Sequence, residues 1–128
     1  MFEWFLEYMR SRDRAKDAML HLRAVEIRIA MDSAQALFHD AIESWAQGDV
    51  TKAELRSIAA KAIAAQVAFE VSHKILHCAG STSLFEKFPL SRYLADLETH
   101  VLHAAHDRSS QTVGAAALGE RFDSSAQF

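Results

Sequence analysis

Apolar residues return every third or fourth position along almost the whole chain, the spacing of one face of an α-helix. Phe2, Phe5, Leu6 and Met9 make the first such stripe, with Trp4 and Tyr8 beside it, and predict a helix over 2–12. Its polar positions hold the acids Glu3 and Glu7 rather than lysines, so the stripe reads as a face docked on the body and not on a membrane. A long helix is predicted over 14–47, with Met19, Leu22, Ile29, Ala30, Ala34, Leu37, Ala41 and Trp45 as its seam. Gly48 suits its end, where a positive φ costs glycine little, and Thr51-x-x-Glu54 has the form of a capping box. The helix that follows, 52–79, carries Leu55, Ile58, Ala62, Ile63, Phe69, His73 and Leu76, with Gln66 near the apolar seam.

The rhythm changes after Ala79. Gly80 suits a helix stop, and Ser83-x-x-Glu86 suits a capping box that opens a short turn. Pro89 fits the first turn of a helix reaching to 105, where its missing N–H is no loss. Positions three and four apart share a face, so Arg92, Asp96, His100 and His103 fall along one stripe. Asp107 can cap a last helix over 108–118 that ends at Gly119. The chain thus divides into an N-terminal helix (1–13), a bundle core (14–119) and a loose tail (120–128). Only 4 glycines and 1 proline in 128 residues leave little material for turns. The expected fold is all-α: an antiparallel helical bundle, four-helix-bundle-like, with short connections.

Composition narrows the function classes. A length of 128 residues suits one domain, and a net charge of −3 offers nucleic acid no general attraction. No apolar run approaches the roughly 20 residues of a membrane span. The opening MFEWFLEYMR lacks the basic leader of a signal peptide, and the single cysteine, Cys78, fits a reducing compartment. Cytoplasm is the expected location.

Seven histidines make metal the first chemistry to weigh. Glu70-x-x-His73 has the spacing of di-iron bundles, and His73 and His77 stand four apart, but no second Glu-x-x-His exists. His100, His103 and His106 drift around their helix, so no metal site is expected. Cys78 follows His77 but points elsewhere and reads as a small buried hydrophobe. There is no glycine-rich phosphate loop and no Ser-His-Asp arrangement on a strained elbow. Among the histidines, the pair His100 and His103, near the Gly80 turn, stands out.

That region resembles the C-terminal domain of the acyl-CoA dehydrogenase-like flavoproteins. Those enzymes carry a Gly-Gly turn between two helices. Nine residues after its first glycine, a proline opens a helix that holds an Arg and, four residues later, the Asp of an Arg-Asp pair. Gly80, Pro89, Arg92 and Asp96 fall in that register. The alanine-rich helices before them and the ending at Leu118 and Gly119 agree, so the resemblance spans most of 14–119. Here the second glycine is Ser81, the Arg of the pair is Ala95, and a family glutamine is His77. The dehydrogenases' catalytic glutamate falls at Ala104, which takes no proton, and this disfavours α,β-dehydrogenation.

Thr99-His100-Val101-Leu102-His103 is instead similar to the Thr-His-x-x-His segment of the flavin-dependent monooxygenase branch. The resemblance implies His103 as the catalytic residue near the flavin's reactive edge, with His100 in support. An imidazole titrating near 6.5 can there donate a hydrogen bond or take a proton from a substrate hydroxyl. It further implies that His77, Gly80 and Ser81 contact the cofactor, FAD or FMN, of a neighbouring subunit in a dimer or tetramer. The family also has a middle β-barrel domain and an N-terminal helical domain. The chain is therefore expected to be a fragment, a single domain or a degenerate relative. The rival expectation is a non-catalytic helical module that has kept only the family's role in oligomerisation.

Overall fold

The computed structural model describes residues 1–102 and 106–123. Among them it is all-helical, with no strand, as the periodicity predicts: α1 (Phe2–Ser11), α2 (Ala18–Ala46), α3 (Val50–Ala79), a single 3₁₀ turn (Ser81–Leu84), α4 (Leu90–Leu102) and α5 (His106–Ala117). No helix of these residues is long and apolar enough to cross a membrane. The spine is α3, which packs against α1, α2, α4, α5 and the 3₁₀ turn.

The long helices begin where a side chain can satisfy their first N–H groups. Asp17, and no residue near 14, opens α2, because its carboxylate accepts from the N–H of Met19 (2.9 Å) and Leu20 (3.2 Å). Asp49, in place of the expected Thr51 box, opens α3 by accepting from the N–H of Lys52 at 3.1 Å. The connection is only residues 47–49, with Gly48 at φ +77°, and it folds α3 back along α2. Lys74 therefore reaches Glu26 (3.2 Å), while Arg56 reaches Asp40 (2.9 Å) and the Trp45 indole donates to Ser57 Oγ (3.0 Å). Early α2 meets late α3, and late α2 meets early α3. The last helix starts at His106, placing Asp107 inside its first turn and not at the cap.

The seam of α2 differs from the expected one. Leu20, Ile27, Ala41 and Ser44 are buried, and Arg23, Ala30, Ala34 and Leu37 are half-buried between them. These positions alternate steps of three and four, a heptad seam along α3. Met19, Leu22, Ile29 and Trp45 are exposed. Hydrophobicity alone misplaced the stripe because the true seam includes Arg23 and Ser44. Ser44 can be buried because its hydroxyl donates to the Asp40 carbonyl at 2.8 Å. On α3, Phe69 is likewise exposed, with its ring against His73 at 4.1 Å.

The hydrophobic core lies at one end of the hairpin. Phe2, Phe5, Tyr8 and Met9 of α1 close over Leu20 and Ile27 of α2, Val71 and Ile75 of α3, and Leu90 of α4. The stripe of α1 is thus consumed by packing on the body. Trp4 stacks on Tyr8 (ring centres 5.0 Å apart), and Phe88 meets Tyr8 edge-on at 5.1 Å. Toward the other end the buried side chains are Ala41 and Ser44 of α2 and Ala53, Ile58 and Ala60 of α3.

We expect Phe5→Ala to destabilise the fold by about 3–5 kcal/mol and Ile75→Ala by about 2–5 kcal/mol. Met19→Ala should fall within about 0.5 kcal/mol of wild type. Denaturant melts of the three variants check the seam; a large loss for Met19→Ala would contradict it.

Candidate functional site

Core and candidate site are joined at the end of α3. Gly80 leaves the helix at φ +74° while its N–H still donates to the Leu76 carbonyl at 2.9 Å. A Cβ there would meet nothing within 4 Å, so the backbone conformation, and not crowding, calls for glycine. The following residues wind into the 3₁₀ turn, and Ser83, fully buried, donates its hydroxyl back to the Gly80 carbonyl. Ser83 is therefore a clasp on the turn, not the expected cap toward Glu86. Ser91 Oγ donates to the Leu84 carbonyl (3.0 Å) and ties the start of α4 to the same corner.

The structure brings three of the expected site residues together. His77, on the last turn of α3, and Gly80 and Ser81, at the turn itself, are all exposed at this corner. His100 stands apart. Ten residues beyond Leu90 along α4, it lies roughly 15 Å from that helix's start. It shares the exposed side of α4 with Arg92 and Asp96, which approach to 3.8 Å, while Leu90, Leu94, Leu97 and Val101 turn inward. His103 and Ala104 lie outside the described residues.

Two arginines that the sequence reading passed over stand beside the turn. Arg12 and Arg14, with Tyr8, Met9, Ala79 and Thr82, line a concavity of about 310 Å³. Arg12 donates to the Tyr8 hydroxyl at 2.9 Å, its guanidinium 5.1 Å from that ring's centre. Arg14 donates to Asp17 Oδ2 from two nitrogens (2.6 and 3.2 Å) and to the Cys78 carbonyl at 3.2 Å. Both guanidinium groups are thereby held in place before any ligand arrives. The available signal was the basic run Arg10, Arg12, Arg14 and Lys16, interrupted only by Asp13 among charged residues. Asp13 takes φ +56°, a turn conformation that aspartate tolerates.

The electrostatics follow from these contacts. Arg14's hydrogen bond, helped by the Leu20 N–H, holds the Asp17 carboxyl below its ordinary value. Burial pushes the Cys78 thiol up, away from the thiolate a nucleophile needs. Among the described residues no three His, Cys, Asp or Glu side chains gather as a metal set. Glu70 accepts from Gln66 Nε2 (2.9 Å), which places the Gln66 amide at the surface and not in the seam, and His73 Nδ1 lies 2.9 Å from the Phe69 carbonyl.

A larger groove, about 500 Å³, lies far from this corner between α3 and α5, where Asp49, Lys52 and Arg56 rim Leu55, Ala59 and Val113. Arg56 and Lys52 both face Asp40 there, at 2.9 and 4.0 Å.

Residues 1–108 match the family model described as acyl-CoA dehydrogenase, C-terminal domain. No curated protein and no solved structure matches the chain.

Because the Asp17 carboxyl is lowered in the folded state, its contribution is present above the unfolded value of about 4 and is lost as pH falls through the folded value. The thermal midpoint should fall with pH below about 4, and less steeply in Asp17→Asn, which keeps a cap but cannot titrate. Parallel pH profiles for the two proteins would contradict this.

Proposed function

The chain belongs to the acyl-CoA dehydrogenase C-terminal domain family, and from that premise we propose that it serves a flavin-dependent oxidoreductase of the monooxygenase type. In this reading it holds FAD or FMN at the Gly80 corner, works as a subunit of a homo-oligomer and resides in the cytoplasm. The observation that carries the reading is the concavity beside the turn. Two guanidinium groups already hydrogen-bonded to the protein, Arg12 and Arg14, line a space together with Ala79 and Thr82, which flank the Gly80 turn. The Arg12 guanidinium, with the Arg14 N–H groups not used by Asp17 and the Cys78 carbonyl, suits the phosphate end of a flavin nucleotide. Thr82 adds a hydroxyl to the concavity, and Ser81 and His77 are exposed nearby in sequence.

A bound flavin would supply the electron-transfer and O₂ chemistry that side chains lack. In the same reading His103 holds or takes the proton of a substrate hydroxyl, and His100, three residues earlier in the sequence, supports it. A second reading, an oligomerisation module without flavin, is favoured by the apolar side chains exposed along α2.

Titrating the protein with FAD, FMN and riboflavin decides between the two. Saturable binding is expected for the phosphorylated forms and much weaker binding for riboflavin. Arg12→Ala or Arg14→Ala should each weaken FAD binding by about 10-fold or more, the scale of one charge-assisted hydrogen bond. Riboflavin binding as tightly as FAD would contradict the arginine site. An absence of saturation at millimolar flavin in a stable oligomer would favour the module.

A further inference from the structure

Arg14 stands in the short connection between α1 and α2, where no helix fixes its backbone. A turn holds it there. The Arg14 N–H donates to the Met9 carbonyl (3.1 Å), and the Asp17 N–H donates to the Arg14 carbonyl (3.0 Å). Ala15 and Lys16 form the middle of that turn. A turn bonded only at its ends keeps conformational freedom at its middle. Here one side chain pins the middle: His21 Nε2 lies 2.6 Å from the Ala15 carbonyl. A carbonyl oxygen can only accept, so Nε2 carries the proton and the ring donates. We propose that His21 is a positioning residue for Arg14, clamping the turn so that the guanidinium faces the concavity before a phosphate arrives. This deepens the proposed function, and its ligand readout rests on the flavin half of that reading.

Helix geometry puts His21 in place. It is the fourth residue of α2, and its own N–H donates to the carbonyl of the Asp17 cap at 3.0 Å. Side chains on a helix lean toward its N-terminus, so a residue one turn in reaches back over the segment that enters the helix. An imidazole carries its donor at the far edge of a rigid ring, and only two torsions are ordered in making the bond.

The bonds of Arg14 show why the turn matters. Nε and Nη2 donate to Asp17 Oδ2, at 3.2 and 2.6 Å, and Nη1 donates to the Cys78 carbonyl at 3.2 Å. A guanidinium has five N–H groups, so these three bonds leave two for a ligand oxygen. Asp17 opens α2 and Cys78 lies in the last turn of α3, so one guanidinium meets both only while the turn holds its backbone between them. Arg14 lines the concavity and His21 does not, so His21 acts on a ligand through Arg14. Preorganisation of this kind lowers the ordering cost of binding.

Hydrogen exchange at Arg14 Nε, followed by NMR in the ligand-free protein, tests the clamp directly. His21→Phe keeps a ring and removes the donor, and should speed that exchange by about 3- to 10-fold, the scale of one neutral hydrogen bond. His21→Gln returns an N–H donor at similar reach and should restore the wild-type rate. The Met19 and Leu20 amides, held by Asp17, should exchange as in wild type in both variants. FAD affinity should follow Arg14, falling by about 3- to 10-fold in His21→Phe and recovering in His21→Gln. It should be unchanged in His39→Phe, whose ring faces Gln35 of its own helix. Wild-type exchange at Arg14 in His21→Phe overturns the clamp. Faster exchange at Met19 and Leu20 as well overturns it too, since His21 would then only support the start of α2. Faster Arg14 exchange with unchanged FAD affinity overturns its role at the site. A wild type that binds no FAD overturns the flavin reading, and the clamp is then decided by the Arg14 signal alone.

Discussion

The protein depends on the burial of one helix by the others. Each of the other helices packs on α3, and two of its buried side chains, Val71 and Ile75, join the main core toward its C-terminal end. There Phe5, Ile27 and Leu90 from three other helices close over them. The corner that leaves α3 at Gly80 lies directly beyond this core and is tied down by Ser83 and Ser91. Tyr8 belongs to the core and also lines the concavity with the arginines, so packing and candidate chemistry share a side chain. At the opposite end small residues and Ile58 fill the space between the helices, and Phe38, Ile42 and Trp45 face outward.

In the proposed function those two ends divide the work. The aromatic end supplies rigidity, which a ligand site needs so that its donors are oriented before binding. The alanine end supplies exposed apolar surface, which a subunit interface needs. The Asp17–Arg14 contact ties the first of these together, since one carboxylate caps α2 and positions a guanidinium at the concavity.

The helices and the Gly80 stop were legible because periodicity and glycine's tolerance of positive φ are local properties. The α2 seam was not, because facing is decided by what the partner helix presents. Arg23 and Ser44 lie on the inner face although both are polar: Arg23 pairs with Glu26, which Lys74 of α3 also holds, and Ser44 donates to the Asp40 carbonyl of its own helix. Helix starts were displaced for a related reason, since Thr51 matched a capping pattern but Asp49 stood nearer the Gly48 turn. At the candidate site His77, Gly80 and Ser81 adjoin in sequence and so remain together in space. Arg12 and Arg14 join them across more than sixty residues, a proximity no local pattern carries. His100 was assigned from a motif, and the fold leaves it on the exposed side of α4 away from the turn.

The most direct test of the flavin reading is a map of backbone amide NMR shifts as FAD is added to the isotope-labelled protein. Perturbations concentrated at Gly80, Ser81 and Thr82, with matching changes in the Arg12 and Arg14 side-chain signals, are the predicted result. Shifts confined to the α2 face or to the groove between α3 and α5, with the Gly80 corner silent, would contradict it.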